Sequence, residues 1–145
     1  MKIDLNWNGS MKFTSQAGDN TTLMDAKAPL GQGSAMTPKE LVGAGLAGCT
    51  AMDVVALFKK HKQTPDSFGV QVDIETSSGG HPNVFTQALL TFTAKGSVTK
   101  EVFIEAVELS QTKYCGVSAM LSKAFPIKYK IMLNDELIHE GQAHF

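Results

Sequence analysis

Cys49 and Cys115 are the only thiols in this 145-residue chain. A thiol is the one side chain present that can act both as a nucleophile and as a reversible electron carrier, and its reactive form is the thiolate. The two lie sixty-six positions apart, so only the fold can bring them together. With Cα atoms about 5–6 Å apart a reversible disulfide becomes possible. Cys49 sits inside an apolar run, where a cysteine usually behaves as a small inert hydrophobe and burial raises its pKa. Cys115 is followed by Gly116, Val117 and Ser118 at the mouth of a short helical pattern, where free N–H groups stabilise thiolate. A redox pair and plain core filling both fit these facts. A structural zinc site is disfavoured, because neither cysteine has a second Cys or His at ligand spacing. His61, His81, His139 and His144 are scattered over loops and ends and read as solvated.

Two carboxylates frame Cys49. Asp53 follows it by one helical turn and would disfavour thiolate if its side chain leaned that way. Glu40 precedes it by nine residues, which on a regular helix gives opposite faces and roughly 13–14 Å along the axis. Glu40 therefore reaches Cys49 of its own chain poorly. Two antiparallel copies of the helix would bring them together, or Glu40 simply complements the helix N-terminus.

The element that must position these groups is Thr37–Lys62, TPKELVGAGLAGCTAMDVVALFKKHK. Thr37 suits an N-cap and Pro38 the first turn, and Lys59, Lys60, His61 and Lys62 suit the negative end of the dipole. From Leu41 to Phe58 the pattern is apolar nearly all round, so the helix is expected to be buried on almost every side. Gly43, Gly45 and Gly48 each cost roughly 1 kcal/mol relative to Ala, which close approach of another backbone would offset. The span is about long enough for a bilayer, but the glycines, Thr50 and Asp53 make it a poor membrane helix.

Around it, Ile3, Leu5 and Trp7 alternate, Asn8-Gly9 suggests a two-residue hairpin turn, and Gly18-Asp19-Asn20 a second turn, giving a three-stranded meander. After Thr64-Pro65-Asp66 the alternation of Phe68, Val70, Val72 and Ile74 predicts a strand, and Val84–Ala94 its return. Ser97–Tyr114 reads as a helix capped by Thr99, and Val117–Ala124 as a short helix capped near Gly116. Ile127, Tyr129, Ile131 and Leu133 form a further strand, with Leu137–His139 a possible edge. The plan is α+β in one domain over residues 1–145. A net charge of −1 drives binding to neither nucleic acid nor an anionic membrane. Two cysteines and an N-terminus without a signal-peptide core imply a cytoplasmic protein. All thirteen basic residues are lysine, so no guanidinium is available.

TPKELVGAGLAGCTAMDVV and KYCGVSAML together resemble the paired cysteine signatures of the OsmC/Ohr family of hydroperoxide-reducing proteins, with the wording nearest the YhfA-like OsmC subgroup. Gly116 stands where the family's Cys-Pro-x-Ser element has proline. The resemblance covers nearly the whole chain. It implies antiparallel sheets wrapped around a long central buried helix, in an intertwined homodimer with active sites at the interface. It also implies Cys49 as peroxidatic thiol, Cys115 as resolving thiol and Glu40 as the motif carboxylate, acting on an organic hydroperoxide with an external dithiol reductant and no metal or cofactor. The family's reductases use an N-terminal Arg, which this chain lacks. A different class also fits: a non-catalytic dimer holding a small hydrophobic ligand in the interface pocket.

Overall fold

Alternating apolar and polar side chains set the strands, and a computed structural model covering residues 1–145 places seven of them in two sheets. The chain forms two compact units, Met1–Gly43 and Ala44–Phe145.

In the first unit β1 (Asp4–Trp7), β2 (Phe13–Ala17) and β3 (Asn20–Met24) form an antiparallel meander in chain order. The second corner matches expectation, since Ala17 pairs with Asn20 across Gly18-Asp19. The first does not. Trp7 pairs with Phe13, so the corner takes residues 8–12 instead of Asn8-Gly9 alone. Gly9 and Ser10 both have positive φ, and the widened corner is held by Asn8 N–H to the Lys12 carbonyl (2.9 Å), Lys12 N–H to the Gly9 carbonyl (3.1 Å) and the Trp7 indole N–H to the Ser10 carbonyl (2.8 Å). Beyond β3, Asp25 is only 2% exposed and gathers the following loop by accepting from Gln32 N–H (3.2 Å), Ser34 N–H (3.0 Å) and the Ser34 hydroxyl (2.8 Å). The Ser34 N–H does most to hold its carboxyl below the ordinary aspartate range. Gly31 is required there, because a Cβ would collide with the Ala26 carbonyl and the Asp25 carboxylate.

The second unit holds β4 (Ser67–Thr76), β5 (Phe85–Lys95), β6 (Ile127–Leu133) and β7 (Glu136–Gln142), hydrogen-bonded in that order. One pair departs from the expected antiparallel pattern: β5 and β6 run parallel, since the helices between them carry the chain back to the same end. β7 is longer than the edge foreseen at Leu137–His139, and its hairpin turns on Asn134-Asp135, both at positive φ. One sheet face is the core. Leu90 and Phe92 of β5 and Ile127 and Ile131 of β6 are fully buried against Leu46, Val54 and Phe58 of α1 (Pro38–Lys60) and Phe103 and Val107 of α2 (Lys100–Leu109). Phe58 and Phe103 meet with ring centroids 5.4 Å apart, and Phe68 closes edge-on to Phe58 at 5.6 Å.

One expectation for α1 needs correction. It is long and apolar enough to cross a membrane, yet its buried residues Leu46, Thr50, Val54, Leu57 and Phe58 recur at three- and four-residue spacing and make one stripe. The opposite face is not buried in the chain: Val42 is 41% and Met52 76% exposed. At Gly45 and Gly48 a Cβ would meet nothing of this chain within 4 Å, so a backbone approaching there would have to come from another copy. The second helical pattern also divides. α2 starts as expected on Thr99, whose hydroxyl accepts Val102 N–H at 3.4 Å, but stops at Leu109 and continues as a π-helical turn over Ser110–Tyr114. The last helix, α3 (Gly116–Leu121), is shorter than foreseen, and Cys115 itself caps it.

Candidate functional site

The opening turn of α1 is a capping box. Thr37 N–H donates to Glu40 Oε2 at 2.8 Å, and Glu40 N–H donates to Thr37 Oγ1 at 3.3 Å, so two otherwise unpaired donors are satisfied reciprocally. The signature Thr-x-x-Glu was present in TPKE and is the reason this carboxylate sits where it does. Lys27 Nζ lies 2.6 Å from Glu40 Oε1. Lys27, then the Thr37 N–H, pull the Glu40 pKa from 4.5 down to about 2. In the folded chain Glu40 is therefore a cap and an ion-pair partner.

A pH dependence follows. The folded pKa is depressed, so this interaction contributes in full above pH 4.5 and is lost as pH falls toward about 2. Carboxyl NMR titration of Glu40 should give a midpoint near 2 in the native protein. Lys27→Met should move it upward toward 4.5 and make the α1 N-terminus fray at a less acidic pH. An unmoved midpoint would show that Lys27 is not the dominant cause.

Farther along α1 the chain brings its two thiols together. Cys49 is half-buried and Cys115 fully buried, neither is in a disulfide, and Cys49 is near enough to Cys115 to act on its titration. Cys115 caps the π-helical turn from just beyond it, its N–H bonded to the Ser110 carbonyl at 3.0 Å. Its Sγ accepts Ser118 N–H at 3.3 Å as the cap of α3. The expected thiolate stabilisation at this helix mouth is overruled. Burial pushes the Cys115 thiol up, and the hydrogen bonds from Ser118, which act the other way, are too weak to reverse it; the neighbouring Cys49 adds to the rise. Cys115 is thus held as a protonated thiol beside a more accessible partner.

The Asp53 side chain is engaged by Ser110. Its Oδ2 accepts the Ser110 hydroxyl at 2.9 Å and belongs to a polar cluster under the two cysteines. Thr50 Oγ1 and Ser110 Oγ are 2.7 Å apart, and the Gln111 amide donates to Thr50 Oγ1 at 2.7 Å and to Ser110 Oγ at 3.4 Å. Thr50, Ser110 and Gln111 are each 0% exposed. Of this group only Thr50 and Asp53 stand out in the sequence, as breaks in an apolar run. The remaining signal was the polar Ser110-Gln111 pair inside an otherwise apolar helical pattern.

The histidines are not all free in solvent. His61 Nε2 lies 3.3 Å from Glu105, and His139 Nε2 lies 3.2 Å from Glu108, both carboxylates on α2. No group of three or more His, Cys, Asp or Glu side chains is arranged to hold a metal ion. A cavity of about 390 Å³, separate from the thiols, is lined by Glu105, Glu108, Leu109, Thr112, Tyr129 and His144.

Residues 31–130 match the family model described as OsmC-like protein. Protein YhfA of Escherichia coli K12 is 31% identical over 131 residues, covering 89% of this chain and 95% of that protein. The OsmC-like protein of Mycoplasma pneumoniae superposes with a TM-score of 0.79 at 15% identity, covering 91% of this chain and 95% of its own. An organic hydroperoxide resistance protein OsmC from Legionella pneumophila does so at 0.67 and 14%, covering 91% and 97%.

Proposed function

The chain belongs to the OsmC-like protein family, and from that membership we propose that it is a thiol-dependent peroxidase that reduces organic hydroperoxides through a reversible Cys49–Cys115 disulfide. One observation carries this reading: the fold sets a half-buried thiol against a fully buried one whose pKa is raised. Such an asymmetric pair suits a division of labour. Solved relatives described as organic hydroperoxide resistance proteins support the substrate class.

In this reading the Cys49 thiolate attacks the hydroperoxide. The O–O bond breaks, the alkoxide takes a proton and departs as alcohol, and Cys49 becomes a sulfenic acid. The Cys115 thiol then attacks that sulfur. Its proton and the sulfenic hydroxyl leave as water, and the S–S bond forms. An external dithiol is oxidised to its own disulfide as it returns both cysteines to thiols. Burial keeps Cys115 protonated and reserves it for the second step. Glu40 is the motif carboxylate, its cationic partner is Lys27, and in a chain without arginine any cation that takes the guanidinium's place is a lysine, a more strongly hydrated point charge. That exchange predicts slower turnover than an Arg-bearing relative. No cofactor enters.

The reading also includes a single OsmC-like domain over residues 1–145, a cytoplasmic location and a homodimer. The dimer rests on the exposed apolar face of α1, with Val42 and Met52 uncovered in the chain. The experiment is a peroxidase assay with an organic hydroperoxide and excess dithiothreitol. Dithiol consumption that Cys49→Ser removes is the expected result. Absence of turnover, with hydrophobic-ligand binding kept in Cys49→Ser, favours instead a non-catalytic dimer.

A further inference from the structure

Between the two thiols runs a second connection, made of hydrogen bonds. Thr50 is the residue after Cys49 on α1, and its Oγ1 meets Ser110 Oγ at 2.7 Å. Ser110 begins the π-helical turn that ends at Tyr114, and its carbonyl accepts the Cys115 N–H at 3.0 Å. One side of Ser110 is therefore tied next to one cysteine and its other side to the second.

The direction of each bond is fixed by chemistry. A carboxylate only accepts, so the Ser110 hydroxyl proton points to Asp53 Oδ2 (2.9 Å). Ser110 must then accept from Thr50, and Thr50 accepts from the Gln111 amide (2.7 Å). The chain Gln111→Thr50→Ser110→Asp53 has one polarity and ends on a half-buried charge. Backbone bonds lock the turn as well: His144 N–H donates to the Gln111 carbonyl at 3.1 Å.

This arrangement is a poor choice if only stability were at stake. Gln111 is fully buried and its Oε1 has no partner, a cost that an apolar side chain of similar size would avoid. A π-helical turn is rare and is frequently found at functional sites. What the cluster gains is geometry. It fixes the turn bearing Cys115 to the helix bearing Cys49 before any bond forms between the sulfurs.

We propose that Thr50, Ser110, Gln111 and Asp53 are positioning residues that preorganise the Cys49–Cys115 pair and raise the effective concentration of one thiol for the other. The inference rests on the redox-pair reading above. It adds that the strength of the disulfide is set by hydroxyl and amide groups which touch neither peroxide nor sulfur.

The test is a thiol–disulfide equilibrium, which needs no peroxidase activity. Purified protein is equilibrated with mixtures of glutathione and glutathione disulfide. Each Cys49–Cys115 bond formed converts one glutathione disulfide to two glutathiones, and alkylation with mass spectrometry reads the oxidised fraction. Thr50→Val, an isostere without the hydroxyl, and Ser110→Ala should each shift the equilibrium about tenfold toward the dithiol, about 30 mV for this two-electron couple. Thr50→Ser, which keeps the hydroxyl, should stay near the native value. Asp53→Asn, at the rim of the cluster where folding is least at risk, should shift in the same direction by less. A role in stability alone would lower the melting temperatures of the oxidised and reduced forms together and leave the equilibrium unmoved. Native-like constants in Thr50→Val and Asp53→Asn would overturn the positioning role while a wild-type disulfide keeps the redox pair. Failure of the wild-type protein to form the disulfide would overturn both.

Discussion

Treating the reduced protein with one equivalent of an organic hydroperoxide is expected to lower its intact mass by about 2 Da, the two hydrogens lost when a disulfide forms. The expectation follows from two neighbouring free thiols, one half-buried and one fully buried. Cys115→Ser should instead gain about 16 Da as the sulfenic acid on Cys49 persists, with further oxidation when peroxide is in excess. Cys49→Ser should stay unmodified and lose turnover down to the uncatalysed background. The reason is that Cys115 is buried, its pKa is raised, and the residue left opposite it is no nucleophile. Oxidation of Cys115 in the wild-type protein while Cys49 remains a thiol would reverse the assigned roles.

The second large effect is expected at Gly45. Within one chain a Cβ there meets nothing within 4 Å, and replacing a helical glycine should raise helix stability by up to about 1 kcal/mol. If a second copy covers the exposed face of α1, a bulky side chain at the same position forces the two backbones apart. Overpacking of that kind typically costs about 1–3 kcal/mol and occasionally more. The two situations give opposite signs. Gly45→Leu should turn a native dimer into monomer or aggregate by light scattering and lower its melting temperature. A wild-type monomer whose Gly45→Leu variant melts higher would remove the dimer from the proposed function.

Local chemistry made much of this molecule legible before any coordinates. Period-two alternation marked β4, β5 and β6, because a strand with one buried face must alternate. Thr37, Pro38 and the closing lysines marked α1, because the unpaired groups at helix ends select those residues. The two motifs TPKELVGAGLAGCTAMDVV and KYCGVSAML marked the family. These are properties of a few neighbouring residues, and sequence states them directly.

Tertiary structure decided what depends on partners distant in the chain. Composition made α1 look buried all round, but burial needs something to pack against, and only the face of Leu46, Thr50, Val54 and Leu57 finds it within the chain. Cys115 stands at a helix mouth, which by itself favours thiolate, yet complete burial outweighs Ser118 N–H and raises its pKa. Asp53 follows Cys49 by one turn, but Ser110, fifty-seven positions away, claims its carboxylate. The approach of Cys49 to Cys115 belongs to the same class. Side-chain type fixes what a group can do, while its pKa, its proton donor and its reaction partner are set by neighbours that the fold supplies from elsewhere in the sequence.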